Sequence, residues 1–265
     1  MSRLALCLLV LLARPAWAVE RVVSLAPSLS EIVLELGAAE LLVGVLDGGE
    51  RPVALAHLPS VGRYGQLEME SLLKLQPDLV LLWPDSISPA QRQQLVAFGI
   101  PLLVTEPRDL SHLAEQFAEI GARLGRGEQG QLLRRRFNER LAELRTRYRR
   151  ERPLRVFYQI WDKPLYTIGG RQIISDALRL CGAENVFADL ALPAPQVGIE
   201  AVLQRDPEVI LAGSGAQLDG WRRWPGLAAV RRNQLWPVPD KGLERPSFQM
   251  LAATEKLCQQ LAEAK

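Results

Sequence analysis

The chain has 265 residues, with 32 Lys plus Arg against 30 Asp plus Glu and a hydrophobic fraction of 48%. That is enough chain for one large domain or for two lobes of ordinary size. A formal charge of +2 provides no basic surplus for gripping a phosphate backbone, so nucleic acid is excluded as a partner.

The first 18 residues stand apart. Arg3 precedes the apolar run LALCLLVLLA, and Ala16-Trp17-Ala18 closes it. A basic start, an apolar core and a small-x-small end make a cleaved secretory signal, residues 1–18. The run is too short to span a bilayer, so no stable membrane insertion is expected. Cys7 lies inside the apolar core rather than at its end, which argues against a lipoprotein cleavage site. Cleavage removes Arg3 and Arg14 and leaves 30 basic against 30 acidic residues, a neutral mature chain. Two cysteines remain, Cys181 and Cys258; in an exported chain a disulfide is favoured, with two buried thiols as the alternative.

In chain order, residues 21–25 form a strand that turns at Ala26-Pro27-Ser28. Ser28 or Ser30 then caps a helix over 31–36 that stops at Gly37. A strand at 41–45 and a loop over 47–59 follow. A short helix at 69–75 ends at Pro77, and LVLLW, 79–83, is an apolar strand of the kind covered on both faces in a parallel sheet. Helix 88–98, strand 100–104 and helix 110–124 continue the alternation. The longest element is predicted over 129–151. Its apolar residues Leu133, Phe137, Leu141, Leu144 and Tyr148 recur at three and four, one stripe on a charged rod, and Pro153 ends it. At 1.5 Å per residue this rod is roughly 35 Å long.

After the rod the order begins again. A strand at 154–160 is followed by helix 172–180, closed at Cys181-Gly182, and by helix 199–204. Strand 208–213, a helical turn at 224–230, strand 234–238 and a final helix at 246–262 complete the chain. Strand–helix alternation on both sides of the rod means an α/β fold with mostly parallel sheets.

An internal echo supports two similar lobes. ESLLKLQPDLVL from Glu70 matches EAVLQRDPEVIL from Glu200: acidic residue, short apolar helix, proline seven residues on, acidic residue, buried strand. One such match arises by chance; its placement once before and once after the rod argues for duplicated architecture, with the rod as connector.

No catalytic constellation accompanies this fold. The two histidines, His57 and His112, lie in a loop and at a helix start, and HExxH, CxxC, GxSxG, P-loop and GxGxxG patterns are absent. No catalytic residue, metal ligand or cofactor is assigned. Instead, aromatic residues sit where ligands bind in open α/β sheets, beyond the carboxyl ends of strands. Tyr64 lies beside Gly65 in a glycine-flanked loop, Trp83 ends the strand 79–83, and Trp161 and Tyr166 bracket Asp162-Lys163-Pro164. Rings in such places stack on flat, partly apolar ligands; a single ring is better read as packing, but the group spans both halves. Trp221, Trp224 and Trp236 are read as packing. Asp240 and Arg245 follow the last strand and offer polar contacts, the alternative being an exposed loop. With the Pro27-Ser28 turn, the candidate ligand set is Pro27, Ser28, Tyr64, Gly65, Trp83, Trp161, Tyr166, Asp240 and Arg245.

The segments SLAPSLSEIVLELGA, VGRYGQLEMESLLKLQPDLVLLW, LCGAENVFADLALPAPQVGIEAVLQRDPEVIL and LERP resemble the periplasmic binding proteins of metal-chelate ABC importers. The resemblance covers the mature chain, and PQV-x-x-E with NVF points to the cobalamin (vitamin B12) branch. It implies two Rossmann-like lobes joined by one long rigid α-helix: a helical-backbone substrate-binding protein, with 19–126 as the N-terminal lobe, 127–152 as the connecting helix and 153–265 as the C-terminal lobe. It implies a periplasmic monomer, not an enzyme, that holds cobalamin between its lobes and delivers it to a permease with its ATPase. It also implies that Glu70 and Glu200 dock on permease arginines, that Cys181 and Cys258 are bonded, and that Tyr64, Trp83, Tyr166, Asp240 and Arg245 touch ligand. The alternatives are a haem or iron-siderophore binder of the same family, with Tyr64 as the iron ligand, and an exported α/β enzyme. Departures from the family pattern are Ala194 and Gly48 where aromatics stand, and Tyr64 where tryptophan often stands; Trp161 is expected to compensate for the ring missing at Ala194.

Overall fold

The computed structural model describes residues 19–48 and 51–265; the expected signal segment, 1–18, lies outside them. In the first half the strands β1 (Val22–Ser24), β2 (Leu42–Asp47), β3 (Ser60–Arg63), β4 (Gln66–Leu67), β5 (Leu79–Leu82) and β6 (Leu102–Val104) form one sheet in the order β4-β3-β2-β1-β5-β6. All pairings are parallel except the β3–β4 hairpin. Leu79, Val80, Leu81 and Leu82 are fully buried, as a strand covered on both faces requires. Helices α1 (Pro27–Glu35), α2 (Met69–Lys74), α3 (Pro89–Ala97) and α4 (Leu110–Arg123) connect these strands and follow the last of them.

The second half holds β7 (Leu154–Asp162), β8 (Leu165–Thr167), β9 (Ala183–Asn185), β10 (Val209–Ala212) and β11 (Leu235–Pro237), in the order β11-β10-β7-β8. Strand β9 runs parallel to the start of β7, and β8 folds back antiparallel on its end. Helices α6 (Ile173–Leu180), α7 (Ile199–Arg205), α8 (Gly215–Asp219), α9 (Ala228–Arg231) and α10 (Met250–Ala262) complete this lobe, and α5 (Gly127–Arg147) joins the two. The two-lobe α/β architecture with a single long connector is therefore as the sequence predicts.

Several boundaries differ. Helix α1 begins at Pro27, not 31, with Ala26 as the extended N-cap residue. Proline suits the first helical position because its φ is preset and its missing N–H needs no partner there. Ser30 is thus inside the helix, and its hydroxyl donates to Ser24 Oγ at the strand end (2.9 Å). The connector ends at Arg147 rather than 151, a rod of about 32 Å. Tyr148 is its C-cap; the chain there meets the turn at Gly182, where a Cβ would lie only 2.4 Å from the Tyr148 carbonyl. Strands β3, β4, β8 and β9 and helix α8 occupy segments that carry no long apolar period in sequence.

The echo is reproduced atom by atom. Gln76 and Asp206, each just before the matching proline, both have left-handed backbone (φ 45° and 38°), a conformation uncommon outside glycine. Asp78 accepts the N–H groups of Glu20 (2.8 Å) and Arg21 (3.1 Å), and Glu208 accepts that of Arg155 (3.1 Å). The Arg21 guanidinium donates to the Leu75 carbonyl (2.7 Å), and that of Arg155 to the Arg205 carbonyl. One lock therefore fastens helix end to first strand in both lobes.

The α5 stripe, Leu133, Phe137, Leu141 and Leu144, is buried, and Tyr148 is half-buried. It faces α4 on one side and α6 and α10 on the other. Gly130 permits the close crossing, since a Cβ there would meet the Phe117 carbonyl at 2.4 Å. Phe117, Phe137 and Phe248, from α4, α5 and the segment before α10, form an aromatic triangle with centroids 5.4, 5.7 and 5.8 Å apart. One apolar core thus runs from Val22 and Leu79 of the first sheet, through α4 and α5, to Val156 and Val209 of the second. The Cys181–Cys258 disulfide, one of the two options open in sequence, ties the end of α6 to α10.

A polar contact supplements this core. Both oxygens of Glu35, on α1, accept the Phe248 backbone N–H (2.9 Å). Burial is the main cause that pushes the Glu35 carboxyl from 4.5 up to about 7, with a further upward push from Glu31 and an opposing one from the Phe248 N–H.

Truncation of the connector's ring in the triangle, Phe137→Ala, is expected to lower unfolding stability by about 4 kcal/mol in urea titrations. Glu35 adds a pH dependence. Between pH 4.5 and about 7 the folded chain keeps a proton that the unfolded chain releases, so stability falls as pH rises through that window. Glu35→Gln should abolish this part of the profile, a change on the order of 3 kcal/mol between pH ~4.5 and ~8 relative to the parent chain.

Candidate ligand cleft and docking surface

The carboxyl ends of β5 and β6 in the first lobe face loops of the second. Strand β5 delivers Trp83; its backbone N–H is held by Ser86 Oγ (3.1 Å), while its indole Nε1 is buried without a hydrogen-bond partner among the described residues. A buried donor left unsatisfied is costly. Strand β6 runs into Glu106-Pro107-Arg108. From the second lobe come Arg171-Gln172-Ile173 at the entry to α6, the loop residues Ala191 and Pro193, and Glu244 and Pro246. These residues and Trp83 line one cavity of ≈ 380 Å³ between the lobes. Burial first, and the Asp85 charge second, push the Glu106 carboxyl up, against Arg108. On the second lobe's wall, the fully buried Tyr158 anchors Glu244 through a phenol–carboxylate hydrogen bond (3.1 Å).

Of the sequence candidates, Trp83 lies in this cavity. Pro27 lines a small crevice with Asp47, Gly48 and Arg51 at the mouth of the first lobe. A Cβ on Gly48 would come within 2.8 Å of Pro27 Cγ, so a larger side chain has no room there in this backbone. Ser28 is buried and its hydroxyl has no partner among the described residues. Tyr64 sits at the tip of the β3–β4 hairpin, 62% exposed, where Gly65 takes the positive φ (75°) the turn demands. Trp161 and Tyr166 face each other as register partners in the β7–β8 hairpin. Trp161 is 58% exposed and its Nε1 donates to the Lys163 carbonyl (3.2 Å).

Asp240 and Arg245 are already engaged within the chain. Asp240 caps the turn Lys241–Glu244 through the Gly242 N–H (2.8 Å) and binds Lys256 (2.6 Å). The Lys256 hydrogen bond, then that of Gly242, hold its carboxyl below the usual range. Arg245 forms an ion pair with Glu31 of the first lobe. Trp221, read as packing, is buried and donates to Gln159 (2.6 Å).

Glu106, Arg108, Arg171, Gln172 and Glu244 were not anticipated. Glu106 and Arg108 follow a strand's carboxyl end, so the rule that found Trp83 would have found them; the others reach the cavity only through tertiary folding. On the outer surface, Glu70 and Glu200 occupy the first turns of α2 and α7. Both are exposed. Glu70 meets Lys74 at 2.8 Å on an open surface, a contact of little energetic weight.

The family model for periplasmic binding proteins matches residues 22–238. The chain is 33% identical over 250 residues to the vitamin B12-binding protein of Vibrio parahaemolyticus, covering 93% of this chain and 91% of that one. It is 34% identical over 258 residues to that of Vibrio cholerae, covering 96% and 93%. Among solved structures, the periplasmic vitamin B12-binding protein BtuF of Vibrio cholerae superposes with a TM-score of 0.84 at 34% identity, over 93% of this chain and 98% of that one. The periplasmic haem-binding protein HutB of the same organism shares the fold, with a TM-score of 0.79 at 21% identity over 91% of this chain and 98% of that one. Matched along most of its length by the family model, the chain belongs to the periplasmic binding protein family.

Proposed function

We propose that this chain captures cobalamin in the cleft between its lobes and delivers it to the permease of an ABC importer, without catalysing a reaction. One observation carries the ligand choice: relatives that share a third of the sequence over nine-tenths of both chains are vitamin B12-binding proteins. The cleft agrees with it. A corrin is flat, apolar across its face and fringed with amides. Trp83 offers an indole with an unspent donor, and Arg108, Arg171, Gln172 and Glu244 offer donors and acceptors to an amide fringe. Tyr64, Trp161 and Tyr166 supply further rings around the mouth, with Pro27, Ser28, Gly65 and Asp240 completing the set; Arg245, paired with Glu31, serves the site by holding its wall, and Trp161 substitutes for the ring absent at Ala194. Residues 19–126, 127–152 and 153–265 act as lobe, connector and lobe. The protein works as a periplasmic monomer released from its leader after Ala18. No helix among the described residues is long and apolar enough to cross a membrane.

Delivery uses Glu70 and Glu200. The duplicated helix–proline–strand unit presents one exposed carboxylate per lobe, at matching positions, to arginines of a two-fold symmetric partner. A matched pair sets orientation and association rate even where each contact is weak. Because one core passes through α5, their separation changes little on ligand capture, unlike in hinge-closing binders.

The mature protein is expected to bind cyanocobalamin one to one in calorimetric titration and to leave the Soret band of haemin unshifted. A Soret shift that disappears in Tyr64→Phe would instead establish the haem reading, and binding of neither ligand would return the exported enzyme. Charge reversal of both docking residues, Glu70→Lys with Glu200→Lys, should lower permease binding in a pull-down or surface-resonance assay roughly tenfold or more, each alone less, with cobalamin affinity unchanged.

A further inference from the structure

Helix α1 turns a second carboxylate toward the other lobe, one turn before Glu35. Glu31 is 7% exposed, and an ionised carboxylate at such depth is tolerated only when paired and fully hydrogen-bonded. Among the described residues, its partners in the second lobe come from one short stretch. Its Oε1 takes the guanidinium of Arg245, and its Oε2 accepts from the Ser247 hydroxyl (2.9 Å) and from the Gln249 carboxamide. Arg245 leaves the turn Lys241–Glu244 with φ −127° and ψ 83°, and its carbonyl accepts the Ser247 N–H (2.8 Å), a tight turn around Pro246. Glu244 and Pro246 line the interlobe cavity, while Arg245, Ser247 and Gln249 turn to Glu31. The same carboxylate therefore sits behind the cleft wall that faces Trp83.

We propose that Glu31 is a positioning residue for ligand capture: by holding Arg245, Ser247 and Gln249 it fixes the 244–246 wall of the cleft and sets that wall's distance from the first lobe. This inference rests on the reading of the cleft as the cobalamin site. Glu31 touches no ligand itself. Its effect passes through Arg245 and the wall, so its substitution and that of Arg245 must not act independently.

The test combines affinity with ligand-free geometry. Cyanocobalamin binding is measured by calorimetry for the mature protein, Glu31→Gln, Arg245→Met and the double variant. Interlobe distances are measured without ligand from spin labels at Gln93→Cys and Gln204→Cys, one exposed site per lobe. Each single substitution is expected to weaken binding about tenfold, the double variant no more than either alone, and Glu31→Gln to broaden the label-to-label distribution. Unchanged affinity in Glu31→Gln, or effects that multiply to about a hundredfold in the double variant, would overturn the proposal. If Glu31→Gln does not fold, Ser247→Ala removes one donor and no charge: a broadened distribution then supports the role, and an unchanged one overturns it. Should the parent protein bind no cobalamin, the functional reading fails, and the label distances alone decide whether Glu31 fixes the wall.

Discussion

The packing of α5 against α4 is the constraint on which the molecule depends. It is close, with Gly130 against the Phe117 carbonyl and the ring of Phe137 in mutual contact with Phe117 and Phe248. Because Phe248 belongs to the second lobe and Phe117 to the first, the connector is part of the core rather than a tether beside it. A flexible linker would let the lobes move as separate bodies. A buried helix shared by both makes their separation a property of side-chain packing, which resists small displacement.

Around that helix the chain builds the same unit twice. The left-handed residue before proline, the acidic residue accepting strand N–H groups and the arginine closing on a helix-end carbonyl recur as Gln76, Asp78 and Arg21, and as Asp206, Glu208 and Arg155. The unit orients a short helix whose first turn bears Glu70 or Glu200. A rigid connector and a repeated unit together place one exposed carboxylate at the same position of each lobe. The cleft on the opposite logic is asymmetric: Trp83 comes from one lobe, and Arg171, Gln172 and Glu244 from the other.

Legibility in sequence followed the physics of each feature. Strand β5 and the α5 stripe were plain because each buries a continuous or periodic apolar set, which leaves a signal in composition alone. The start of α1 was misread because a capping serine was sought where Pro27 itself opens the helix. Strands β3, β4, β8 and β9 were missed because two to four residues cannot display a period, and their pairing is decided by neighbours distant in the chain. Trp83 was found by its place after a strand. Arg171 and Glu244 were not, since nothing local marks a loop residue as facing a cavity.

The sequence alone determined the α/β class, the two halves, the connector with its buried stripe and the repeated unit with its two acidic residues, for these depend on local periodicity and on order along the chain. It favoured a Cys181–Cys258 disulfide from the cysteine count and the export signal without bringing the two residues together in space, and it gave Asp240 and Arg245 no partners. Tertiary structure decided those questions: α6 and α10 lie side by side and bring the sulfurs together, Lys256 reaches Asp240, and Glu31 reaches Arg245 across more than 200 residues of chain. Contacts at that separation arise only when the core closes around α5, because no property of a residue's neighbours in sequence records which distant surface it will meet.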